Sequence, residues 1–254
     1  MQQILVTGGT GTLGRSVVRE FRDAGQDVRV LSRRSGRDRL VGDLTTGAGL
    51  DDAVRGVGAI VHCASDARAP QHDVTGTRNL IEAAKRRGAP HLVYVSIVGV
   101  DRVPLRYYRV KREVEQIVTE SGLPWTILRA TQFHDLVLSL ARLLARPPVM
   151  VVPAGTSVQP VDAAEVAARL VQLALGAPAG RAPELGGPRV VPFTDLARAY
   201  LRADGRRRPV LPVRLPGAVA RAYREGGHLT PDHAGGGRTY EEFLAERVRA
   251  GHAP

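Results

Sequence analysis

Apolar and polar positions follow two distinct patterns along the first 130 residues of this chain. One pattern is typical of strands and the other of helices, and the two alternate. This alternation predicts an α/β fold, in which helices cover both faces of a doubly wound parallel sheet. Short apolar runs that end at turn residues predict the strands Gln3–Thr7, Asp27–Leu31, Arg39–Gly42, Ala59–Cys63, Leu92–Ser96 and Trp125–Arg129. Apolar residues three or four positions apart predict the helices Thr12–Ala24, Asp51–Arg55, Val74–Arg87 and Arg106–Ser121.

The pattern loosens beyond Arg129, where proline and glycine become frequent. Residues 1–130 are therefore interpreted as the sheet core, and residues 131–254 as a smaller C-terminal segment packed on the same domain. We expect the leucines of the first helix in this segment to belong to the core. The segment is predicted to contain the helices Phe133–Ala145, Asp162–Leu175, Thr194–Arg202 and Thr239–Arg249, and an irregular loop at Gly226–Gly237.

A glycine-rich turn separates the first strand from the first helix. Residues 4–14 read Ile-Leu-Val-Thr-Gly-Gly-Thr-Gly-Thr-Leu-Gly. Backbone N–H groups and a helix N-terminus can approach a pyrophosphate at such a turn, because glycine has no side chain to keep the phosphates away. The turn predicts a dinucleotide site in the core. The residues assigned to it are Thr7, Gly8, Gly11, Thr12, Leu13 and Gly14.

The residues after the second strand indicate which dinucleotide binds. An NAD-selective site usually has a carboxylate there, whereas this chain has Arg33 and Arg34. A carboxylate would repel the 2′-phosphate of NADP, and a guanidinium can bind it through charge-assisted hydrogen bonds. We therefore expect NADP, with NAD as the alternative cofactor. Two solvated arginines in an arginine-rich chain are the other interpretation of this pair.

Tyr107 and Lys111 stand four residues apart in a predicted helix, and so lie on one face. An ammonium near a phenol would lower the tyrosine pKa toward working pH, so that the tyrosine could protonate a substrate oxygen. Only two of the 36 Lys+Arg residues are lysine, which makes a chance lysine at this position about one in eighteen. Ser96, at the end of the fifth strand, is expected to orient a substrate carbonyl. The three residues form the predicted catalytic group.

The residues after the sixth strand emerge at the carboxyl edge of the predicted sheet. Ligands of open α/β folds bind at that edge. We therefore expect a small-molecule substrate to contact this segment, and its histidine is a candidate second acid or base. The predicted substrate residues are Thr131, Gln132, Phe133 and His134. The whole segment 131–254 is expected to bind the substrate and to form its lid.

Together these motifs resemble the short-chain dehydrogenase/reductase superfamily, specifically its atypical and extended members with NmrA-like or epimerase-like sequences. Residues 7–14 look like the T-G-x-x-G-x-x-G turn of these proteins, and residues 42–44 look like their G-D-L segment. Residues 73–80 are similar to their N-V-x-G-T-x-N-L helix, with Asp73 in place of asparagine. The resemblance covers residues 1–175.

The resemblance implies a Rossmann fold and roles for individual residues. Asp43 and Leu44 would contact adenine, while Ala64 and Ser65 would wall the adenosine ribose. Lys111 would hold the nicotinamide ribose, and Tyr107 would face the reacting oxygen. Ala130-Thr131 stands where extended members commonly have proline. These departures favour the NmrA-like members, some of which bind NADP without turning over a substrate.

The composition argues against several other classes of function. The net charge is +11, but the basic residues are spread along the chain, which argues against a nucleic-acid partner. One cysteine excludes an intramolecular disulfide and a cysteine-based zinc cluster, and we expect no metal site. We find no apolar stretch of about 18 residues, so no membrane partner is expected. The chain is predicted to be cytoplasmic, and a monomer or a homodimer.

The sequence favours an NADP-dependent oxidoreductase that reduces a carbonyl or activated double bond of a small organic molecule. The first alternative is a non-catalytic NADP-binding redox sensor, which would pass the cofactor's oxidation state to a protein partner. The second is a sugar-nucleotide epimerase or dehydratase, which would need a retained NAD and a pocket for a second nucleotide. Arg33 and the short C-terminal segment argue against it.

Overall fold

The structure, a computed structural model, describes residues 3–36 and 38–251. All six strands and eight helices expected from the sequence are present, and their ends differ from the expected ones by at most three residues. The elements follow the chain in the order β1 (Gln3–Thr7), α1 (Thr12–Asp23), β2 (Asp27–Ser32), β3 (Arg39–Val41), α2 (Leu50–Ala53), β4 (Val57–His62), α3 (Gln71–Arg86), β5 (His91–Ile97), α4 (Arg106–Thr119), β6 (Trp125–Ala130), α5 (His134–Leu144), β7 (Met150–Pro153), β8 (Ser157–Val158), α6 (Ala163–Leu175), β9 (Gly180–Arg181), β10 (Val191–Pro192), α7 (Phe193–Ala203), β11 (Val210–Val213), α8 (Ala218–Arg224), a 3₁₀ turn (Pro231–His233) and α9 (Tyr240–Gly251).

Seven strands form one mainly parallel sheet, in the order β3-β2-β1-β4-β5-β6-β9. Val6 in β1 lies in register between Val30 of β2 and Val61 of β4. The chain runs outward from β1 to β3 on one side and from β4 to β9 on the other. The strand order therefore reverses between β1 and β4, and the carboxyl edge at such a reversal is where open α/β sheets bind ligands. The predicted Rossmann-like α/β fold is confirmed.

Buried apolar side chains on the central strands explain why this sheet forms. Leu5, Ile60, Leu92 and Ile127, on β1, β4, β5 and β6, are each at most 1% exposed and belong to one cluster. Helices α3 and α4 contribute buried side chains to the same cluster. Burying one such side chain contributes about 1.5–3 kcal/mol, so continuous apolar runs favour central strands that are covered on both faces.

The described residues cluster into two compact units that interleave along the chain. Unit 1 consists of residues up to 96, 105–129 and 164–183, and unit 2 consists of 97–104, 130–163 and residues from 184 onward. Residues 164–183 thus belong to unit 1, because β9 pairs with β6 and extends the sheet. The sequence-based prediction assigns them to the C-terminal segment instead. The assignment of cofactor to residues 1–130 and substrate to 131–254 stays a prediction.

Unit 2 packs helices against two small sheets. Strands β7 and β11 pair in parallel, and β8 pairs with β10 antiparallel. The expectation that the leucines of α5 belong to the core is wrong for three of them. Leu136, Leu140 and Leu143 are 59%, 40% and 53% exposed. The helix is apolar around most of its circumference, and the opposite face, with Val137, Leu138 and Ala141, is the buried one.

Several short elements are absent from the sequence-based prediction. Strands β8, β9 and β10 have two residues each, which is too short for any periodicity. Helix α8 has no buried residue, and hence no apolar face that a pattern could reveal. The 3₁₀ turn lies inside the loop predicted at Gly226–Gly237. Among the helices in the described part of the chain, none is long and apolar enough to cross a membrane.

Candidate active site

The glycine turn after β1 is built so tightly that two positions exclude any side chain. Gly8 has a φ of +68°, and a Cβ there would lie 2.6 Å from the Ala64 nitrogen. A Cβ at Gly14 would lie 2.1 Å from the Gly8 carbonyl oxygen. Both contacts are with backbone atoms, which cannot move aside as a flexible side chain can. The turn therefore requires glycine at both positions, as the sequence predicts.

The same turn leaves the beginning of α1 open to a ligand. Gly11 precedes the helix, its N–H donates to the Gly8 oxygen at 2.9 Å, and no side chain of the described residues caps it. Thr12 is exposed, Leu13 is buried, and the first turn contains no acidic residue. Uncapped N–H groups and the positive end of the helix dipole suit an anion. This cradle fits the pyrophosphate of a dinucleotide.

A buried chain of hydrogen bonds holds the end of β1 in place. Thr7 Oγ1 lies 2.6 Å from His62 Nδ1, and His62 Nε2 lies 3.0 Å from Thr77 Oγ1. Thr77 donates its own proton to the Asp73 carbonyl, so His62 donates from Nε2 and accepts the Thr7 proton at Nδ1. Burial lowers the pKa of His62 to about 3, which agrees with a neutral ring. The hydroxyl of Thr7 is thus engaged inside the fold.

The segment that resembles G-D-L forms a turn held by helix α3. The Thr45 N–H donates to Asp43 Oδ1 at 2.7 Å, which closes the turn. The amide of Asn79 donates to the carbonyls of Leu44 and Thr45 at 2.8 and 3.1 Å. A Cβ at Gly76 would lie 2.9 Å from the Leu44 Cβ. The expected adenine contacts of Asp43 and Leu44 stay predictions, but α3 positions both residues.

The two arginines expected at the 2′-phosphate directly follow β2. Both Arg33 and Arg34 are exposed. The Arg34 N–H donates to Ser32 Oγ at 3.2 Å, which fixes the backbone at the end of the strand. Strand β2 pairs with β1, which leads into the glycine turn. The 2′-phosphate contacts expected of Arg33 and Arg34 stay predictions.

Tyr107 is joined to two residues that the sequence did not connect with it. The Tyr107 hydroxyl lies 2.6 Å from Ser65 Oγ, and Ser65 donates to Asp73 Oδ2 at 2.6 Å. The Asp66 N–H donates to Asp73 Oδ1 at 2.8 Å. Ser65 follows β4, Asp73 lies in the first turn of α3, and Tyr107 lies in the first turn of α4. Only the replacement of asparagine by Asp73 marked this cluster in the sequence.

The expectation that Lys111 lowers the pKa of Tyr107 is wrong for this structure. Burial raises the pKa of Tyr107, and the charges of Asp73 and Asp66 add to the rise. The Lys111 ammonium is directed elsewhere: it donates to the Val95 carbonyl at 3.0 Å. Tyr107 therefore keeps its proton at neutral pH.

Lys111 is a buried ammonium of unit 1. The residue is only 3% exposed, and its Nζ lies 4.3 Å from the centre of the Tyr94 ring. Burial lowers the pKa of Lys111 to about 8, although the charges of Asp73, Cys63 and Glu115 oppose the shift. An ammonium has three N–H donors, and Val95 takes one of them. The others can serve a cofactor hydroxyl.

Ser96 lies beside a buried ion pair. Glu115 is 1% exposed and binds Arg129 through two hydrogen bonds of 2.9 and 2.8 Å. Arg181 binds the same carboxylate at 2.7 Å. Burial raises the pKa of Glu115, but Arg129, Arg181 and Ser96 lower it more, so that the net shift is downward. Ser96 itself is buried, and its Oγ has no hydrogen-bond partner among the described residues, so its expected role toward a substrate carbonyl stays a prediction. No local pattern in the sequence indicates the ion pair.

Two of the four expected substrate residues are interior residues of unit 2. Thr131 is 4% exposed and donates to the Gln159 carbonyl at 2.5 Å. His134 is fully buried, donates from Nε2 to the Arg238 carbonyl at 3.0 Å and stacks on Phe243. Both side chains connect segments of unit 2, and neither is available to a ligand in this arrangement.

The other two expected substrate residues are half-buried. Gln132 donates through its amide to the His228 carbonyl at 3.2 Å. Phe133 precedes α5, and its backbone pairs with Val161. A substrate role for Gln132 and Phe133 stays a prediction.

Similar proteins agree with a dinucleotide site. The profile of the NAD(P)H-binding family matches residues 8–174. The (4-alkanoyl-5-oxo-2,5-dihydrofuran-3-yl)methyl phosphate reductase of Streptomyces griseus is 34% identical over 215 residues, which cover 80% of this chain and 74% of that protein. The photosystem II assembly factor Ycf39 of Cyanophora paradoxa is 31% identical over 183 residues, 65% of this chain and 56% of that protein.

The fold has a close counterpart among solved structures. The NADPH-dependent quinone oxidoreductase of Escherichia coli, crystallised with NADPH, superimposes with a TM-score of 0.79 at 22% identity over 97% of this chain and 99% of that one. At this identity the likeness establishes the fold. The expected NAD(P) cofactor is confirmed, and these matches fit the resemblance to atypical short-chain dehydrogenases/reductases. With its glycine cradle and the match to residues 8–174, the chain belongs to the NAD(P)H-binding family.

Proposed function

We propose that this protein is an NADPH-dependent oxidoreductase that reduces a carbonyl or activated double bond of a small organic molecule. The observation that carries the proposal is the arrangement at the start of α4, where a phenol is fixed 2.6 Å from Ser65 and a buried ammonium follows one turn later. Both lie in unit 1, which also contains the glycine cradle. The Streptomyces griseus relative named as a reductase supports it.

Each residue has a distinct part in the proposed reaction. Bound NADPH supplies the hydride. Tyr107 exchanges the proton at the reacting oxygen of the substrate, and Lys111 holds the ribose with the donors that Val95 leaves available. Gly8 and Gly14 keep the pyrophosphate cradle open. Ser96 keeps its expected part, orienting the substrate oxygen: it is no more buried than Lys111, and its Oγ has no hydrogen-bond partner among the described residues.

A substrate panel with a tyrosine variant tests the proposal. We expect wild-type protein to oxidise NADPH with at least one member of a panel of aldehydes, ketones, quinones and enones. Removing a proton-transfer group costs about 100-fold or more, so Tyr107→Phe should lower kcat by that factor while the Kd for NADPH stays nearly constant. Tyr223→Phe, which removes a phenol from unit 2, is the control. No turnover by the wild type across the panel would overturn the proposal.

A second candidate is a non-catalytic NADP-binding regulator. Two observations favour it: the Cyanophora paradoxa relative is named as an assembly factor, and the raised pKa of Tyr107 holds its proton more firmly than proton donation requires. For this function we expect tight NADPH binding without turnover. The substrate panel therefore separates the two candidates.

Cofactor selectivity is expected to depend on Arg33. A charge-assisted hydrogen bond contributes about 1.5–3 kcal/mol, so Arg33→Ala should raise the Kd for NADPH by about 10- to 100-fold and leave that for NADH within about twofold. Cofactor fluorescence titration measures both constants. Arg19→Ala is the control, because it removes an exposed arginine of α1 to which no cofactor contact is assigned. Equal losses for NADPH and NADH in Arg33→Ala would contradict the preference for NADP.

A further inference from the structure

We propose that Asp73 is the proton reservoir of Tyr107, connected to it through Ser65, and that its charge sets whether Tyr107 accepts or donates a hydrogen bond. The proposal rests on the proposed function insofar as Tyr107 meets the reacting oxygen. Asp73 acts through Ser65 and is a positioning residue. Asp73, Ser65 and Tyr107 all lie in unit 1, as does the neighbouring Asp66.

The direction of the hydrogen bonds follows from a count of protons. As a carboxylate, Asp73 has only acceptor oxygens, and it receives the Ser65 hydroxyl at 2.6 Å and the Asp66 N–H at 2.8 Å. Ser65 has one proton, and Asp73 takes it. In the 2.6 Å contact between Tyr107 and Ser65, the donor must then be Tyr107. The Tyr107 oxygen consequently offers lone pairs to a ligand, and the ligand must supply a hydroxyl or N–H group.

Protonation of Asp73 reverses the direction of both hydrogen bonds between Asp73, Ser65 and Tyr107. A carboxylic acid at Asp73 donates to Ser65, Ser65 then donates to Tyr107, and Tyr107 turns its proton toward the ligand. The acid form therefore suits a carbonyl oxygen, and the carboxylate form suits a hydroxyl. The two forms match the oxidised and the reduced state of one substrate.

The proton balance closes in both directions. In reduction, the substrate carbon receives a hydride from the cofactor, and its oxygen receives the Tyr107 proton. Tyr107 takes the proton of Ser65, Ser65 takes that of Asp73, and Asp73 is left as a carboxylate that solvent reprotonates. In oxidation every transfer runs backwards, and the hydroxyl proton ends on Asp73 as the hydride returns to the cofactor.

The charged and titratable groups around Tyr107 come from four elements or loops. Asp66 follows β4, Asp73 belongs to α3, Tyr94 belongs to β5 and Lys111 belongs to α4. Burial, Asp73 and Asp66 raise the pKa of Tyr107. A hydrogen bond donated by Ser65 would lower it, but the only Ser65 proton is directed to Asp73.

Asp73→Asn inverts the chain with almost no change in shape. The amide oxygen can keep the Asp66 N–H, which places the amide nitrogen opposite Ser65. Ser65 then accepts from residue 73 and donates to Tyr107. The pKa of Tyr107 should fall by at least about one unit, a tenfold change in its ionisation constant, because a negative charge is lost and the phenolate gains a donor. The ultraviolet absorbance of tyrosinate, with Tyr107→Phe subtracted, measures this pKa without substrate.

Asp66→Asn is the matched control. It also removes a negative charge that raises the pKa of Tyr107, but its side chain accepts from the Arg68 N–H and has no bond to Ser65. We expect a clearly smaller shift than in Asp73→Asn. Ser65 is at an exposed loop position, where alanine can replace it. In a Ser65→Ala protein, Asp73→Asn should lose most of its effect on the pKa of Tyr107. Thermal unfolding verifies that each variant is folded.

The outcomes distinguish this proposal from the proposed function. Equal shifts in Asp73→Asn and Asp66→Asn, or an Asp73→Asn shift that persists without Ser65, would overturn the reservoir and leave the reductase proposal standing. The expected titrations together with no turnover across the substrate panel would overturn the reductase proposal alone.

Discussion

Replacing Lys111 by methionine is expected to stop NADPH-dependent reduction and, at pH 7, to make the fold more stable. Turnover should fall by about 100-fold or more, because the proposed ribose contact and the only buried ammonium described in unit 1 are removed together. Stability should rise, because burial lowers the pKa of Lys111 from 10.5 to about 8, which corresponds to a cost of about 3 kcal/mol for keeping the charge. Loss of the hydrogen bond to the Val95 carbonyl offsets part of this gain and leaves about 1 kcal/mol.

The pH dependence of this difference has a definite sign. Below pH 8 the folded and the unfolded chain both hold the Lys111 proton, so the cost of its burial is fully present. Between pH 8 and 10.5 the folded form releases the proton first, and the wild type gains stability relative to Lys111→Met as pH rises. Urea unfolding from pH 7 to 10.5 measures the difference.

The chain contains a matched control for this variant. Lys85 is the other lysine, it is exposed on α3, and it forms a surface ion pair of 3.4 Å with Glu82. Lys85→Met should keep turnover, and its stability difference from the wild type should stay constant between pH 7 and 9. A Lys111→Met protein with undiminished turnover, or with a stability difference independent of pH, would contradict the assignment.

Glu115→Gln is expected to destabilise unit 1 by about 3 kcal/mol. The glutamine keeps the shape of the side chain but removes the negative charge that both arginines contact, and Arg129 is only 16% exposed. Removing one partner of a buried ion pair costs about 3–5 kcal/mol; the exposure of Arg181, at 52%, places this pair at the lower end. The free energy of unfolding in urea, at an unchanged m-value, measures the loss.

Acid should remove this difference, and a neighbour on the same helix serves as control. The pKa of Glu115 lies below its ordinary value of 4.5. Its contribution is therefore complete above pH 4.5 and disappears as pH falls through the lower folded value. Glu113 lies two residues earlier on α4 and is exposed, so Glu113→Gln should change stability by less than about 0.5 kcal/mol. A Glu115→Gln protein as stable as Glu113→Gln at pH 7 would refute the structural role of the ion pair.

The sequence predicts the sheet of unit 1 well, because each central strand is an apolar run between turn signals. It also predicts the cradle, because the steric limits at Gly8 and Gly14 are local to a few residues. The exposed leucines of α5 show where such reasoning fails. A helix that is apolar on most sides does not reveal by periodicity which side is buried.

The partners of the site residues could not be predicted from periodicity. Ser65 is 42 positions from Tyr107, and Glu115 is 66 positions from Arg181. Contacts between such distant residues depend on how strands and helices pack, and no local pattern records them. The pKa of Tyr107 was predicted in the wrong direction for the same reason, since the nearby carboxylate charges come from other segments of the chain.

The contacts of α3 with the turn at residues 42–44 couple two segments that are distant in the sequence. Asn79 binds the carbonyl of Leu44, and Gly76 leaves room for the Leu44 Cβ, so the segment expected to contact adenine is fastened to the helix. Helix α3 also carries Asp73, in the turn before Gly76. If a bound ligand displaced residues 42–44, α3 would move with them. Such a movement would reach Asp73, and through it the hydrogen bonds of Tyr107.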